Sequence, residues 1–221
     1  MGFKIKIGTW KKMLNEKVLS KISNWANSSN KFDRGHSWNY CYEHFQKFYK
    51  LPTKTNADID LAALNLWAYL ASWGMMRGSS FLGQECNYKV LINVVHVLID
   101  KKYSSLWLST CYNNEDFSTL SRELALDIKK ELLPYCSRGT FKDDTLTTKI
   151  ILGTCCCLPA FDIYFKNGMK NNGLQQSLSI STIKQIVNFI NEPANLTLHS
   201  IGYPIMRALD AYFFCEGGGA I

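Results

Sequence analysis

The segment that most constrains the fold is a run from residue 55 to residue 77 that is apolar on almost every side of a helix. Thr55 or Asn56 can cap its start, and Asp58 and Asp60 fall in its first turn, as is typical of a helix N-terminus. The apolar residues recur at helical spacing: Leu61, Leu64, Trp67, Ala68, Ala71 and Met75. A helix without a polar face must be covered on several sides. The sequence therefore predicts an all-α globule with this helix at its centre.

Further helical patterns account for most of the remaining chain. An amphipathic pattern with lysines on its outer face covers about residues 10–25, and an aromatic stripe follows in 38–49. The β-branched segment 88–100 is read as helix because no strand of similar strength exists to pair with it. Residues 117–133, 181–190 and 203–214 complete the set, and in the last of these Arg207 and Asp210 are placed on the more polar side.

Length and composition favour a single compact multi-helix domain. The 221 residues, 47% of them hydrophobic, can bury a substantial core, so the predicted domain spans 1–221. The glycine-rich end, 217–221, is expected to fray. No apolar run reaches membrane-spanning length, and we expect a monomer that does not contact a membrane.

Charge and cysteine usage suggest the partner and the compartment. The net charge of +7 favours a polyanion, and a nucleic acid is one such partner. The eight cysteines include three adjacent ones, Cys155, Cys156 and Cys157, which cannot easily pair with one another. The thiols therefore indicate the reducing cytoplasm, with the triplet serving as small, soft packing at a helix crossing.

Several motifs of common enzyme classes are absent from the sequence. It has no phosphate loop, no GxSxG elbow, no HExxH and no pair of CxxC motifs. These absences argue against nucleotide hydrolysis, serine hydrolysis and zinc chemistry. We expect no metal and no cofactor.

The stretch 143–168 holds the best candidate for chemistry. Asp143 and Asp144 precede a helix that Gly153 ends, and Pro159 is suited to the first turn of a second helix. Asp162 then falls in that first turn, where the helix dipole favours a negative charge. The carboxylate could cap its own helix, stabilise a cation or orient a water, and the residues leave these roles open.

This order of helix, small-residue turn, proline and aspartate, carried by LTTKIILGTCCCLPAFDIYF, resembles the helix-hairpin-helix DNA glycosylases. The resemblance implies a helix-hairpin-helix-like element that grips DNA phosphate and a downstream aspartate that assists cleavage of the base–sugar bond. Asp162 matches that aspartate. Lys149 lies in the first helix, where bifunctional members place an amine nucleophile. The residues alone favour a solvent-facing position for Lys149.

The resemblance implies double-stranded DNA as partner and a damaged or modified base that leaves the helix stack. An enzyme of this kind would serve either in repair or in antiviral defence against modified DNA. A flipped base needs an aromatic slot with a few hydrogen-bonding groups. The candidates for that substrate-binding slot are Trp67, Trp73, Met76, Arg77 and Ser79.

Two other classes of function remain open from the sequence. One is a noncatalytic helical module that binds nucleic acid or protein through its lysines. The other is a helical RNA-cleaving toxin in which four scattered acids gather a metal, although each is also explained as a helix start: Asp58, Asp60, Asp143 and Asp144.

Overall fold

The fold is all-α, as the sequence predicts. A computed structural model describes residues 14–30, 32–78, 80–136 and 143–221, and these contain helices and no strand. The α-helices are α1 Glu16–Ala26, α2 Gly35–Tyr49, α3 Asn56–Ser72, α4 Phe81–Glu85, α5 Ile92–Leu98, α6 Phe117–Leu132, α7 Asp144–Gly153, α8 Ile163–Asn171, α9 Ile180–Asn191 and α10 Ile205–Glu216. Short 3-10 helices cover Tyr88–Leu91, Lys101–Trp107, Cys111–Asn113, Leu133–Tyr135 and Pro193–Ser200.

The helices start where the sequence supplies capping side chains. Thr55 caps α3 and forms a capping box with Asp58, and Asp143 caps α7 by accepting a hydrogen bond from the Leu146 N–H. The β-branched segment 88–100 is helical as predicted, beginning as a 3-10 turn and continuing as α5. The lysine-bearing first helix begins at Glu16, and residues 10–13 of its predicted pattern lie outside the described part of the chain.

The central helix is α7 rather than α3, which corrects the expectation from the sequence. Every residue of α7 from Leu146 to Gly153 is buried, because α2, α3 and α6 pack around it. Helix α3 buries one face only, and Leu61 and Leu64 on the other face are about half exposed. Gly153 permits the close approach of α7 to α3, since a Cβ there would lie 2.4 Å from the Tyr69 ring.

Helices α8 and α10 form the closest pair in the fold. A Cβ on Gly168 would lie 2.1 Å from the Phe213 carbonyl oxygen, so only glycine allows the two backbones to touch. The fraying of 217–221 stays a prediction, and the structure shows one close contact of this tail. Gly217 passes against the Tyr164 carbonyl, where a Cβ would lie 1.8 Å away, and this lack of a side chain lets the tail pack beside α8.

Buried apolar side chains from all ten α-helices join into one continuous core. Within the residues that the structure describes, every helix is too short or too polar to cross a lipid bilayer.

Candidate active site at the Lys149–Asp162 pair

The connection from α7 to α8 is longer than the tight hairpin expected from the sequence. It runs through residues 154–162, and α8 begins at Ile163, so Pro159 lies in a buried, non-helical segment rather than in the first turn. Asp162 is the N-cap of α8, and its Oδ1 accepts a hydrogen bond from the Phe165 N–H at 2.9 Å. Helix α8 packs chiefly on α10.

Hydrogen bonds fix the two residues that precede Asp162. The Ala160 N–H donates to Asp210 Oδ1 at 2.9 Å, and the Phe161 N–H donates to Thr148 Oγ1 at 2.8 Å. Thr145 Oγ1 in turn donates to the Phe161 carbonyl at 3.1 Å. Side chains of α7 and α10 therefore hold the segment from both sides, and this positions the Asp162 carboxylate.

Lys149 lies directly beside that carboxylate. Its Nζ is 3.1 Å from Asp162 Oδ2 and 5.2 Å from the centroid of the Trp73 ring. The side chain of Lys149 is only 7% exposed, which contradicts the expectation that it faces solvent. The reason is that α7 is the central helix, so a lysine on it reaches solvent only through a cleft.

The cleft above the pair has a volume of about 400 Å³. Of the predicted site residues, the structure brings Asp162, Lys149, Trp73 and Arg77 together in its walls. Trp73 follows the last residue of α3, and its indole N–H donates to Ser37 Oγ at 3.0 Å, which fixes the ring. Arg77 is exposed at the rim. The aspartate thus opens onto a cleft of a size that holds small ligands, for which about 300 to 1,000 Å³ is typical.

Other predicted slot residues are not in the cleft. Trp67 is half-buried against the core elsewhere on α3, because six helical positions from Trp73 correspond to a rotation of about 240°. Met75 lines the cleft in place of Met76, whose backbone packs against Gly83 of α4. Ser79 lies outside the described residues.

The cleft also contains residues that the sequence did not predict as part of a site. Arg34 precedes α2, and its guanidinium lies 4.9 Å from the centroid of the Trp73 ring. Tyr164 and Phe214 supply aromatic surface from α8 and α10, and Ala220 of the C-terminal tail closes one edge. None of these residues has a local sequence signal, because long-range packing brings them to the cleft.

A second ion pair, Arg207–Asp210, lies on the inner side of the Lys149–Asp162 pair, away from the cleft. Arg207 Nη1 is 2.8 Å from Asp210 Oδ2, and both side chains are buried, not on a polar face of α10 as expected from the sequence. The guanidinium carbon lies between 4.8 and 5.6 Å from the centroids of four aromatic rings, those of Trp25, Trp38, Trp73 and Tyr203. Cation–π contacts of this kind stabilise a desolvated cation.

An inner cavity joins the two pairs. Lys149, Asp162, Arg207 and Asp210 all line it, and its free space of about 10 Å³ is at the lower limit for one water. Burial raises the pKa of Asp210, although Arg207 and Lys149 act in the opposite direction. Among the residues that the structure describes, none accepts a hydrogen bond from Arg207 Nε or Nη2. The Arg207–Asp210 pair is therefore a charged anchor inside the core.

The four acids considered for a metal-dependent nuclease have separate structural partners. Asp58 completes the α3 capping box, Asp143 caps α7, Asp144 pairs with Lys129, and Asp60 accepts from the Tyr88 hydroxyl. Among the described residues, no three His, Cys, Asp or Glu side chains are grouped to hold a metal ion.

The arrangement places one carboxylate, one amine and an aromatic wall around an open cleft with cationic edges. Such a site can stabilise positive charge, orient a water or present a lysine to an electrophilic carbon. Comparison of the chain with protein-family models, with curated proteins and with solved structures found no match.

Proposed function

We propose that this protein is a DNA glycosylase that flips a damaged or modified base out of the duplex and hydrolyses its bond to the sugar. The observation that supports this most directly is the Asp162 carboxylate, which opens onto a cleft of about 400 Å³ beside Lys149 and Trp73. The proposal extends the resemblance carried by residues 146–165.

The chemistry requires a fixed negative charge near the sugar. Loss of the base develops positive charge on the sugar ring, and a preorganised carboxylate stabilises that charge without reorganisation. Asp162 Oδ1 is held by the Phe165 N–H and Oδ2 by Lys149, so the carboxylate keeps one orientation. From there it can also accept a proton from the attacking water.

The rest of the cleft suits a base and its phosphates. Trp73, Tyr164 and Phe214 provide aromatic surface for a flipped base. Arg34 and Arg77 carry positive charge at the walls, where they can pair with backbone phosphates without reading sequence. Arg77 is also the side chain on the rim that can donate hydrogen bonds to the base.

Lys149 gives the site a second possible reaction. After transfer of its proton, the amine can attack the sugar carbon as the base departs, forming a nitrogen–carbon bond that rearranges to an imine. Asp162 is close enough to accept that proton, at 3.1 Å. Reduction with borohydride would trap the imine as a covalent protein–DNA product, whereas direct attack by water leaves only an abasic site.

The proposed partner is a DNA duplex bound by a single copy of the chain. The proposed setting is the reducing cytoplasm, in agreement with the absence of any disulfide among the eight cysteines, all of which lie in the described residues. Repair of damaged bases and defence against modified foreign DNA both fit a cleft of this size.

The decisive experiment compares two aspartates that have the same capping role. Asparagine caps helices about as well as aspartate, so Asp162→Asn keeps the cap of α8 and loses the charge in the cleft. Asp143→Asn is the matched control, because Asp143 caps α7 in the same way and does not line the cleft. Both variants would be incubated with duplexes carrying oxidised, alkylated, deaminated and bulky modified bases, and abasic sites would be counted.

We expect wild type and Asp143→Asn to release at least one base in this panel. Asp162→Asn should be slower by on the order of 100-fold, as for removal of other preorganised transition-state contacts. Equal product from wild type and Asp162→Asn, or none from wild type on every duplex, would refute the glycosylase.

A noncatalytic nucleic-acid-binding module is the second candidate. The observation in its favour is that Asp162 already has two structural roles, as a helix cap and as the partner of Lys149. A binding module of this kind would bind DNA in a salt-sensitive way and release no base. Its binding should be weakened by Arg34→Gln and left intact by Asp162→Asn.

A further inference from the structure

Two cysteine sulfurs are in contact within the turn that follows α7. Cys155 Sγ lies 3.4 Å from Cys157 Sγ, and both side chains are buried. Residues two apart in a chain meet this closely only when the backbone between them turns sharply. The intervening Cys156 supplies that turn, with a φ of 55° in the left-handed region that non-glycine residues seldom occupy.

The turn is fixed by the end of the helix. The Cys156 N–H donates to the Ile151 carbonyl at 2.8 Å, and Thr154 Oγ1 donates to the Ile150 carbonyl at 2.8 Å. These bonds keep the Cys155 and Cys157 side chains on one side of the chain. The contact between the two sulfurs is therefore a property of the folded backbone.

A small cavity gives access to one of these thiols. It has a volume of about 20 Å³, and Cys111, Cys155 and Cys156 line it together with Tyr42 and Ser109. About 10 to 15 Å³ suffices for one water, so this space accepts a molecule of a few atoms and no larger reagent. Hydrogen peroxide meets this limit, whereas a dithiol reductant or a partner protein does not.

We propose that Cys155 and Cys157 form an oxidation site for hydrogen peroxide, which converts the two thiols into a reversible disulfide. The site is separate from the cleft, and the inference does not depend on the proposed glycosylase activity.

The reaction balances in two steps. The Cys155 sulfur attacks one peroxide oxygen, the O–O bond breaks, and one water leaves with the thiol proton, giving a sulfenic acid. The Cys157 sulfur then attacks the Cys155 sulfur, the S–O bond breaks, and the second water leaves with the Cys157 proton. The two thiols lose two electrons in total, and the peroxide gains them.

The cavity assigns the order of attack, because Cys155 lines it and Cys157 does not, and the electrostatics agree. Burial acts to raise the pKa of Cys155, but hydrogen bonding with Cys157 and with the backbone outweighs it and lowers that pKa. Burial raises the pKa of Cys157 well above its ordinary value. Cys155 is thus the better nucleophile, because the thiolate is the reactive form.

The test uses the full chain, reduced, freed of reductant and treated with hydrogen peroxide. The protein is then unfolded, its remaining thiols are alkylated, and it is digested with trypsin. Cleavage after Lys149 and Lys166 yields one peptide, 150–166, that contains Cys155, Cys156 and Cys157 and no other cysteine. Its mass reports how many of the three thiols have been lost, and Cys156→Ser is the matched control.

We expect the wild-type peptide to carry three alkyl groups before peroxide and one after, and three again when dithiothreitol is added to the unfolded protein before alkylation. The Cys156→Ser peptide should go from two alkyl groups to none, and the Cys155→Ser peptide should keep both of its alkyl groups. The Cys157→Ser peptide should stop at the Cys155 sulfenic acid, and so lose one alkyl group and gain one oxygen without forming a disulfide. The wild-type result together with Cys156→Ser decides the matter even if the other two variants do not fold.

Two outcomes would overturn the proposal. One is a wild-type peptide that keeps three alkyl groups at peroxide doses that already oxidise the more exposed Cys86 and Cys215. The other is a disulfide that joins peptide 150–166 to the peptide containing Cys111, which would place the reactive partner across the cavity.

Discussion

Two ion pairs lie around the inner cavity, and each joins a basic side chain to an aspartate. We call Arg207–Asp210 the inner pair and Lys149–Asp162 the outer pair, and their surroundings differ. In the inner pair the side chains of Arg207 and Asp210 are 2% and 9% exposed, and in the outer pair those of Lys149 and Asp162 are 7% and 15% exposed. The inner cation is enclosed by aromatic rings, and its carboxylate holds the Ala160 N–H. The outer carboxylate opens onto the cleft.

This difference in exposure implies that the two ion pairs contribute differently to the stability of the fold. The inner pair joins α10 to the segment that precedes Asp162, so its contacts serve the fold. The outer pair lies beside the open cleft and is more exposed, so its charges contribute less to stability. Stability and activity should therefore respond differently to substitution in the two pairs.

The largest expected effect on stability is that of Arg207→Met. Removing the guanidinium leaves Asp210 buried without its ionic partner, and breaking such a pair costs about 3 to 5 kcal/mol. Urea unfolding would measure this loss. A loss below about 1 kcal/mol, similar to that of the exposed Arg77→Met control, would contradict the role of anchor.

The loss in Arg207→Met should also depend on pH. Burial already raises the pKa of Asp210, and loss of Arg207 removes the largest opposing influence. The folded state then binds the Asp210 proton more tightly than the unfolded state does, so the free energy of unfolding of the variant rises as pH falls. Urea titrations of the variant at mildly alkaline and mildly acidic pH should show this rise, which Arg207→Met with Asp210→Asn should lack.

An intermediate effect is expected for Asp162→Asn. The substitution keeps the cap of α8 and leaves the Lys149 ammonium without an anionic partner, close to the cleft and to the Trp73 ring. Because the pair lies between fully buried and exposed cases, we expect a loss of about 1 to 2 kcal/mol. Thermal and urea unfolding would measure it, and a loss equal to that of Arg207→Met would remove the distinction between the pairs.

A smaller effect is expected when the whole outer pair is replaced. Lys149→Met combined with Asp162→Asn leaves no unpaired charge, and such replacements are often neutral or stabilising. We expect stability within about 1 kcal/mol of wild type, with loss of any base release. If the double variant is less stable than Asp162→Asn alone, the outer pair is structural after all.

The smallest effect on stability is expected for Asp33→Asn, which changes an aspartate nearer the surface than those of the two ion pairs. The Gly35 N–H and the Trp25 indole N–H donate to Asp33 and lower its pKa from 3.8. A lowered pKa gives stability that is present above about pH 3.8 and lost as pH falls through the lowered value. Asp33→Asn can keep both bonds without titrating, so the stability advantage of wild type over this variant should shrink on acidification, as measured by unfolding at stepwise lower pH.

Local signals in the sequence predicted the helices and the candidate site residue Asp162. Helix starts such as Thr55 and Asp143 depend on neighbours within one turn, and Asp162 was found because acid, proline and helical pattern lie close together in the chain. The role of Asp162 in catalysis stays a prediction. The placement of Lys149 beside it required the resemblance, because periodicity alone put that lysine in solvent.

The remaining features depend on contacts between distant segments. Arg207 looked polar because a helical pattern cannot show that rings from residues 25, 38, 73 and 203 would surround it. Helix α3 looked central because its composition does not show which neighbours cover it. The expectation that the tail frays rests on its glycines, and the passage of Gly217 against Tyr164 is a tertiary contact that glycine content does not show.

The glycine contact between α8 and α10 has a genetic consequence. Gly168 lies six residues, about 9 Å, along the helix from the carboxylate at its start. A methyl group there cannot fit against Phe213, so the helix must shift and carry Asp162 out of register with Lys149. If the proposed base release is used as the readout, a screen for inactive alleles should recover changes at Gly168 beside those at the cleft, although Gly168 does not line the cleft.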